Sequence, residues 1–394
     1  MKLAVLLPSG NLIDRRGLIN VALSRLEYLE KFPDYEIEVF VLRTECRVFH
    51  LFKSFPREIS CSDILIDGRV VHQFLKIEYR SSNRLFRKPL KLYHKFTHRR
   101  LCDWEWQKSF AKYLKGFDAI TAHYNDMAIT AEYAHQCYGI PYFVTWHGSD
   151  IHTMPFNDSY LRKKTIFCIE HAACNFFVSQ ALLQKSDELT LHGCKDVLYN
   201  GVESFFVKYD KERRMIIRQR YNLTNEVKVV AYIGNLIEIK NTILLPAIFQ
   251  QIKKGYHSPV QFWIIGDGNE EQMIRNLVTS LDVDCILWGS QPKSAIPDFL
   301  NCTDVLVLPS KNEGLPLVTL EAISCGANVV GSFVGGIPET IGVDFCVPFS
   351  DSFVKDFAGK VVQVLEDSPN QTLQPCFDWA ETAKLENEYY QNMK

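Results

Sequence analysis

Two glutamates eight residues apart, Glu313 and Glu321, sit in the stretch PSKNEGLPLVTLEAISCGANVVGSFVGG, residues 309–336. An apolar run over 304–308 predicts a buried strand ending in Pro309-Ser310, and a helical pattern then runs from Pro316 to Cys325. Glu313 falls in the loop and Glu321 in the second turn of the helix. A loop carboxylate accepts hydrogen bonds from the hydroxyls of a sugar-like ligand, and one set back in the helix reaches a second group of hydroxyls. Either glutamate alone reads more readily as a helix cap or a solvated charge than as a ligand group. The pair beside the Gly335-Gly336 turn is the more specific signal.

Cations and N–H dipoles suited to phosphate come from other turns. In GNLIEIKN, residues 234–241, Gly234 and Asn235 close a strand. Lys240 is expected to enter the following helix near its positive end, so that lysine and helix terminus could hold one phosphate. IGDGNEE, residues 265–271, places Gly266 in another strand-to-helix turn. The loop SGNLIDRRG, residues 9–17, carries Gly10 and Gly17 after the first strand; it could present N–H groups to an anion or be a plain connection. HGSD, residues 147–150, ends the apolar run PYFVTW and offers His147 at a strand's carboxyl edge. A lone histidine there is as readily structural as functional.

These residues need strands to end beside one another. Apolar runs predict strands at 3–8, 36–42, 70–75, 119–123, 142–146 and 175–178. Helical patterns at 18–31, 102–114, 126–138, 160–171 and 181–192 separate several of them. After a turn-rich crossing at 199–210 the alternation restarts, with strands at 228–233, 260–265, 285–288, 304–308 and 328–333. Helices follow from Asn241, Glu270, Lys293, Pro316 and Asp351, and a last one spans 377–392. Such βα alternation implies an α/β protein built on mainly parallel sheets covered on both faces. A length of 394 residues favours two domains.

The formal net charge of -2 argues against a general nucleic-acid binder. The 12 cysteines are scattered without a CxxC pair or a zinc-type Cys/His run, which reads as free thiols in a reducing cytoplasm. The opening KLAVLLP shows no signal-peptide pattern, and no apolar run is long enough to span a membrane. One segment stands apart. Residues 80–100 contain no acid, and Arg84, Arg87, Lys88, Lys91 and Lys95 alternate with Leu85, Phe86, Leu90, Leu92, Tyr93 and Phe96. That pattern suits an anionic membrane surface, and equally a solvated loop-helix.

The ordered set HGSD, NGV, GNLxxxKN, GDG, PSxxEGLPLVxLEAxxCG and GGIPE resembles the retaining GT-B glycosyltransferases related to bacterial glycogen synthase. The resemblance implies two Rossmann-like doubly wound domains facing across a cleft. Residues 1–200 would bind the acceptor and 201–375 a nucleotide-sugar donor, with a helix at 376–394 crossing back to the first domain. Glu321 would accept hydrogen bonds from the nucleotide ribose. Glu313 would lie beside the donor sugar, with the Gly314, Leu315, Pro316 and Leu317 loop offering N–H groups to sugar and phosphate. Lys240 would bind the diphosphate, and His147 would lie near the transferred sugar. The 9–17 loop would approach the diphosphate, and the base would lie over the strand end around Leu287.

The resemblance also implies transfer to a saccharide or lipid-linked saccharide with retention of configuration, in surface polysaccharide assembly, without metal or other cofactor. The enzyme would work in the cytoplasm, peripheral to the inner membrane face where the basic segment reaches it. In one place the sequence departs from the family. Asn235 stands where an arginine is usual, and Arg15 and Arg16 are the candidates to supply that charge. The alternatives are a nucleotide-sugar epimerase or hydrolase on the same fold, and a non-catalytic subunit. The presence of His147 and both glutamates weighs against the last.

Overall fold

The computed structural model describes residues 1–8, 18–48, 61–66, 68–80 and 103–392. It divides into two compact units, Met1–Leu198 with Ala383–Lys394, and Tyr199–Thr382.

The first unit is built on strands β1 (Lys2–Leu7), β2 (Glu36–Val48), β3 (Cys61–Ile66), β4 (Arg69–Arg80), β5 (Ala119–His123), β6 (Tyr142–Trp146), β7 (Cys174–Phe177) and β8 (Lys195–Val197). They form one sheet in the order β3-β4-β2-β1-β5-β6-β7-β8. Among the described residues, only the β3–β4 pair is antiparallel. Every residue of β5, β6 and β7 is buried. Successive strand residues point to opposite faces, so burial of all of them means that both faces are covered. The chain moves outward from β1 on one side and returns at β5 on the other. The order of strands therefore reverses between β1 and β5, the place where ligands of such sheets bind.

The second unit repeats the plan with β9 (Lys228–Ile233), β10 (Val260–Ile265), β11 (Cys285–Gly289), β12 (Val305–Leu308), β13 (Asn328–Ser332) and β14 (Cys346–Val347). All pairs are parallel, in the order β11-β10-β9-β12-β13-β14. The reversal falls between β9 and β12. Their ladder holds only Val305↔Val230 and Leu306↔Ala231, so the strands part before their carboxyl ends.

The helix Trp379–Gln391 closes the described chain, and its residues from Ala383 onward belong to the first unit. Tyr390 is fully buried there, its ring 4.7 Å from that of Phe143. Glu386 accepts from the Tyr390 hydroxyl and from buried Arg25.

Most strands stand where the apolar runs predict them. β3, β8 and β14 lack such runs, and the helix Lys211–Arg220 was also unexpected. Its sequence KERRMIIRQR offers little apolar periodicity; it is started by Asp210, whose carboxylate accepts the N–H of Arg213 at 2.7 Å.

Behind the end of β6, Asn175 holds three elements together. Its Oδ1 accepts from Trp146 Nε1 at 3.0 Å, and its Nδ2 donates to the carbonyls of Ile169 at 2.8 Å and Cys194 at 2.9 Å. Asn175→Ala strands buried polar groups and is expected to lower stability by about 3 kcal/mol, measured by urea unfolding.

Candidate functional site

In the second unit the loops that follow β9 and β12 meet. Lys240 Nζ donates to both carboxylate oxygens of Glu313, at 2.6 and 2.7 Å, and Ser310 Oγ donates to Oε1 at 2.7 Å. The Lys311 N–H bonds to the Ile239 carbonyl at 2.9 Å and fastens one loop to the other. The Glu313 side chain is 7% exposed against 26% for Lys240, so the carboxylate is fixed and the lysine is its more accessible partner.

Lys240 departs from its predicted place. It ends a 3₁₀ turn, Glu238–Lys240, followed by Asn241 in the left-handed region at φ 55°. The α-helix begins only at Leu245, with a proline in its first turn. The turn breaks helical continuity, so Lys240 lies ahead of the helix and its ammonium is directed to Glu313.

The backbone around Glu313 is set by Gly335. A side chain there would put Cβ 1.9 Å from the Glu313 carbonyl oxygen, and its φ of +49° also favours glycine. After Glu313, the helix Leu317–Ser324 starts at Pro316, and Thr319 Oγ1 donates to the Pro316 carbonyl at 2.7 Å. Among the described residues no backbone acceptor takes the N–H groups of Gly314, Leu315 or Leu317. Free N–H groups at a helix start, beside a lysine, can receive an anion or a sugar oxygen.

Glu321 sits on this helix. Burial pushes its carboxyl up to about 7; Lys293 opposes that rise and Glu203 adds to it. Lys293 Nζ is itself 2.6 Å from Glu203. Sequence reasoning missed Ser310, Lys293 and Glu203. Ser310 lies within the motif that carries Glu313, whereas the Lys293–Glu203 pair joins residues 90 apart and leaves no local signal.

The remaining turns on this edge are consecutive. Gly234 N–H bonds to the Ile265 carbonyl at 2.9 Å, and Gly266 N–H to the Gly289 carbonyl at 2.8 Å. Leu287 lies in β11 opposite Ile264. Asn235 is exposed, and its carbonyl accepts the Tyr232 hydroxyl at 2.9 Å.

His147 belongs to the first unit, at the end of β6. Its Nε2 is 3.1 Å from Nδ1 of His123, which ends β5, and the rings stack with centroids 5.3 Å apart. Burial, then the nearby Arg25, hold His147 down to about 3. Burial also lowers His123, with His147 and Arg25 contributing. Two neutral rings can share one N–H, and neither acts as a cation at neutral pH. Behind them, Arg25 donates to Thr145 Oγ1 at 2.9 Å. Asp150 fixes the turn by accepting the N–H groups of His147 at 3.1 Å and Gly148 at 2.7 Å; burial pushes its carboxyl up to about 6 against these bonds.

Gly10, Arg15, Arg16 and Gly17 lie outside the described residues, as do Arg84, Arg87, Lys88, Lys91 and Lys95. Among the described residues no helix is long and apolar enough to cross a membrane.

Residues 213–384 match the family model described as glycosyl transferases group 1. That match spans most of the second unit, so this part of the chain carries the group 1 glycosyltransferase signature. Among curated relatives, it is 29% identical over 233 residues to N-acetyl-alpha-D-glucosaminyl L-malate synthase of Bacillus anthracis, covering 58% of this chain and 59% of that one. It is 23% identical over 204 residues to lipopolysaccharide 1,2-N-acetylglucosaminetransferase of Salmonella typhimurium, covering 47% and 53%. The chain thus matches little more than half the length of these two relatives. HepE of Anabaena, solved in complex with UDP-glucose, aligns with a TM-score of 0.68 at 16% identity over 100% of this chain and 99% of the other. The architecture is the GT-B fold, with two Rossmann-like α/β units.

Proposed function

We propose that this protein is a glycosyltransferase that moves a sugar from a nucleoside-diphosphate sugar to a saccharide or lipid-linked saccharide acceptor, retaining the anomeric configuration, in surface glycoconjugate assembly. The observation that carries the reading is Lys240 held on Glu313 beside the free N–H groups of Gly314, Leu315 and Leu317.

Cleaving the bond between the anomeric carbon and phosphate leaves a nucleoside diphosphate. Its developing charge needs fixed donors, each worth about 3–4 kcal/mol in a preorganised site. In this scheme Lys240 divides its charge between Glu313 and the diphosphate, and Gly314, Leu315 and Leu317 donate to phosphate and sugar oxygens. Glu321 accepts from the ribose hydroxyls, and the base lies at the end of β11 near Leu287. His147, uncharged, bonds to the transferred sugar. Arg15 and Arg16 supply the cation that Asn235 lacks. The leaving phosphate takes the acceptor's proton, so neither glutamate serves as a glycosidase-type nucleophile. The chemistry asks for no metal or other cofactor, and the basic segment at 80–100 brings the enzyme to the inner membrane face.

The test is transfer of label from UDP-glucose and UDP-N-acetylglucosamine to lipid extract by the full chain; the latter donor is chosen on the names of the two relatives. The expected product is a glycosylated acceptor with the donor's anomeric configuration, read by NMR. Release of free or altered sugar alone would replace transfer by hydrolysis or epimerisation. Donor binding without turnover would leave a binding subunit.

A further inference from the structure

On the outer flank of the first sheet, on the far side of β1 from β5 and β6, one face collects four donor side chains. Cys61 and Asp63 are two apart on β3 and so share a face. His72 on β4 stands opposite Asp63. Phe40 on β2 pairs with His72, and Glu38, two residues earlier, shares its face. The donor atoms of Cys61, Asp63 and His72 all lie within 4.8 Å of one another. Asp63 Oδ1 is 2.7 Å from His72 Nδ1, and Glu38 Oε2 is 3.4 Å from His72 Nε2.

We propose that Cys61, Asp63 and His72 bind a divalent transition-metal ion of the zinc class, which clips β3 to β4, while Glu38 on β2 accepts the N–H of the other ring nitrogen of His72. Glu38 is also held by Lys2, whose Nζ lies 2.7 Å from its Oε1, but an ordinary histidine–aspartate hydrogen bond accounts for one ring nitrogen and leaves the second carboxylate approach and the thiol unexplained. A neutral imidazole carries a single N–H, whereas carboxylate oxygens face both nitrogens here. One of those two approaches sets lone pair against lone pair unless a proton or a cation lies between. The converging thiol has no part in such a hydrogen bond, but it is a first choice of ligand for zinc. Thiolate, imidazole and carboxylate together favour zinc or cobalt over magnesium or calcium, which prefer oxygen alone.

The geometry is close to what the ion needs. Donors bound to one zinc stand about 3.3–3.8 Å apart, and the Asp63 side chain, 61% exposed, is free to turn the remaining distance. The His72 ring is held by Phe40, with centroids 4.9 Å apart, and Phe40 packs in turn on Phe74 and Phe110. This fixed imidazole supplies a rigid first ligand. The site is independent of the transfer reaction.

Titration of the metal-free, reduced full chain with cobalt(II) tests the site. Expected is one bound ion per chain, with a near-ultraviolet thiolate-to-cobalt absorption that zinc abolishes. Cys61→Ser should lose that absorption, and His72→Ala should weaken cobalt binding at least tenfold. Zinc should also raise the melting temperature of the unaltered chain and not that of His72→Ala, a readout that stands even if Cys61→Ser folds poorly. No near-ultraviolet absorption on the unaltered chain, or an absorption that persists in Cys61→Ser, overturns the proposal.

Discussion

Glu313→Ala is expected to lower turnover by roughly 10²- to 10³-fold, with nucleotide affinity changed far less. The substitution removes the acceptor that holds Lys240 at 2.6 and 2.7 Å and that takes the Ser310 hydroxyl. Lys240 is then free to pair wholly with a bound diphosphate, so the ground-state complex keeps its charge contact. On the placement proposed above, what is lost is the carboxylate beside the sugar and the restraint on where the ammonium sits when charge develops. Glu313→Gln separates the two contributions, because it keeps the shape and an acceptor but not the charge that fixes the lysine. Turnover for Glu313→Gln should fall between the other two. Initial rates and nucleotide affinity by calorimetry check both variants; equal losses in turnover and binding would contradict this division of labour.

The second large effect is a pH dependence of nucleotide binding. With its carboxyl pushed up to about 7 by burial, free Glu321 is mostly protonated at pH 6 and mostly ionised at pH 8. On the proposed placement, ribose hydroxyls donating to Glu321 favour the anion and lower its pKa, so nucleotide binding at low pH releases a proton. Affinity for a nucleoside diphosphate should therefore rise up to about tenfold per pH unit below 7 and level off above about 8. Glu321→Gln should flatten that profile and weaken binding at pH 8 by roughly 10- to 30-fold, the loss of one or two hydrogen bonds to a charged acceptor. Stability runs the other way. A carboxyl whose folded pKa lies above its unfolded value stabilises fully below about 4.5, and that contribution is lost as pH rises through 7. Glu321→Gln should thus melt above the parent at pH 8 but alongside it at pH 4. Calorimetry in buffers of different ionisation enthalpy counts the released proton.

How far the sequence could be read depended on whether a feature was local. The strands at 119–123, 142–146, 228–233 and 260–265 stand where their apolar runs place them, because a strand buried on both faces needs such a run. β3 was illegible: CSDILI lies on the sheet's edge, where polar residues intrude. Glu313 and Lys240 were each legible as candidates, yet their direct pairing across 73 positions arises from the β9–β12 adjacency, which no spacing encodes. The 3₁₀ turn before Leu245 was read as helix because Asn241 gives no strong sign of its left-handed conformation. Cys61, Asp63 and His72 escaped notice for a related reason. Their convergence depends on the register of an antiparallel hairpin, and their spacing matches no zinc run.

The helix Trp379–Gln391 has a consequence for the order in which the chain acquires structure. Tyr390 and the Arg25–Glu386 pair complete a core whose other members lie within the first 198 residues. During synthesis, the N-terminal half must leave the ribosome with Arg25 unpaired and a gap where Tyr390 will sit. It then waits while the whole second unit is made. That second unit, continuous from Tyr199 to Thr382, closes its own core without residues from elsewhere. It is therefore the part that can finish folding first, although it is translated later, reversing the usual N-to-C sequence of domain folding.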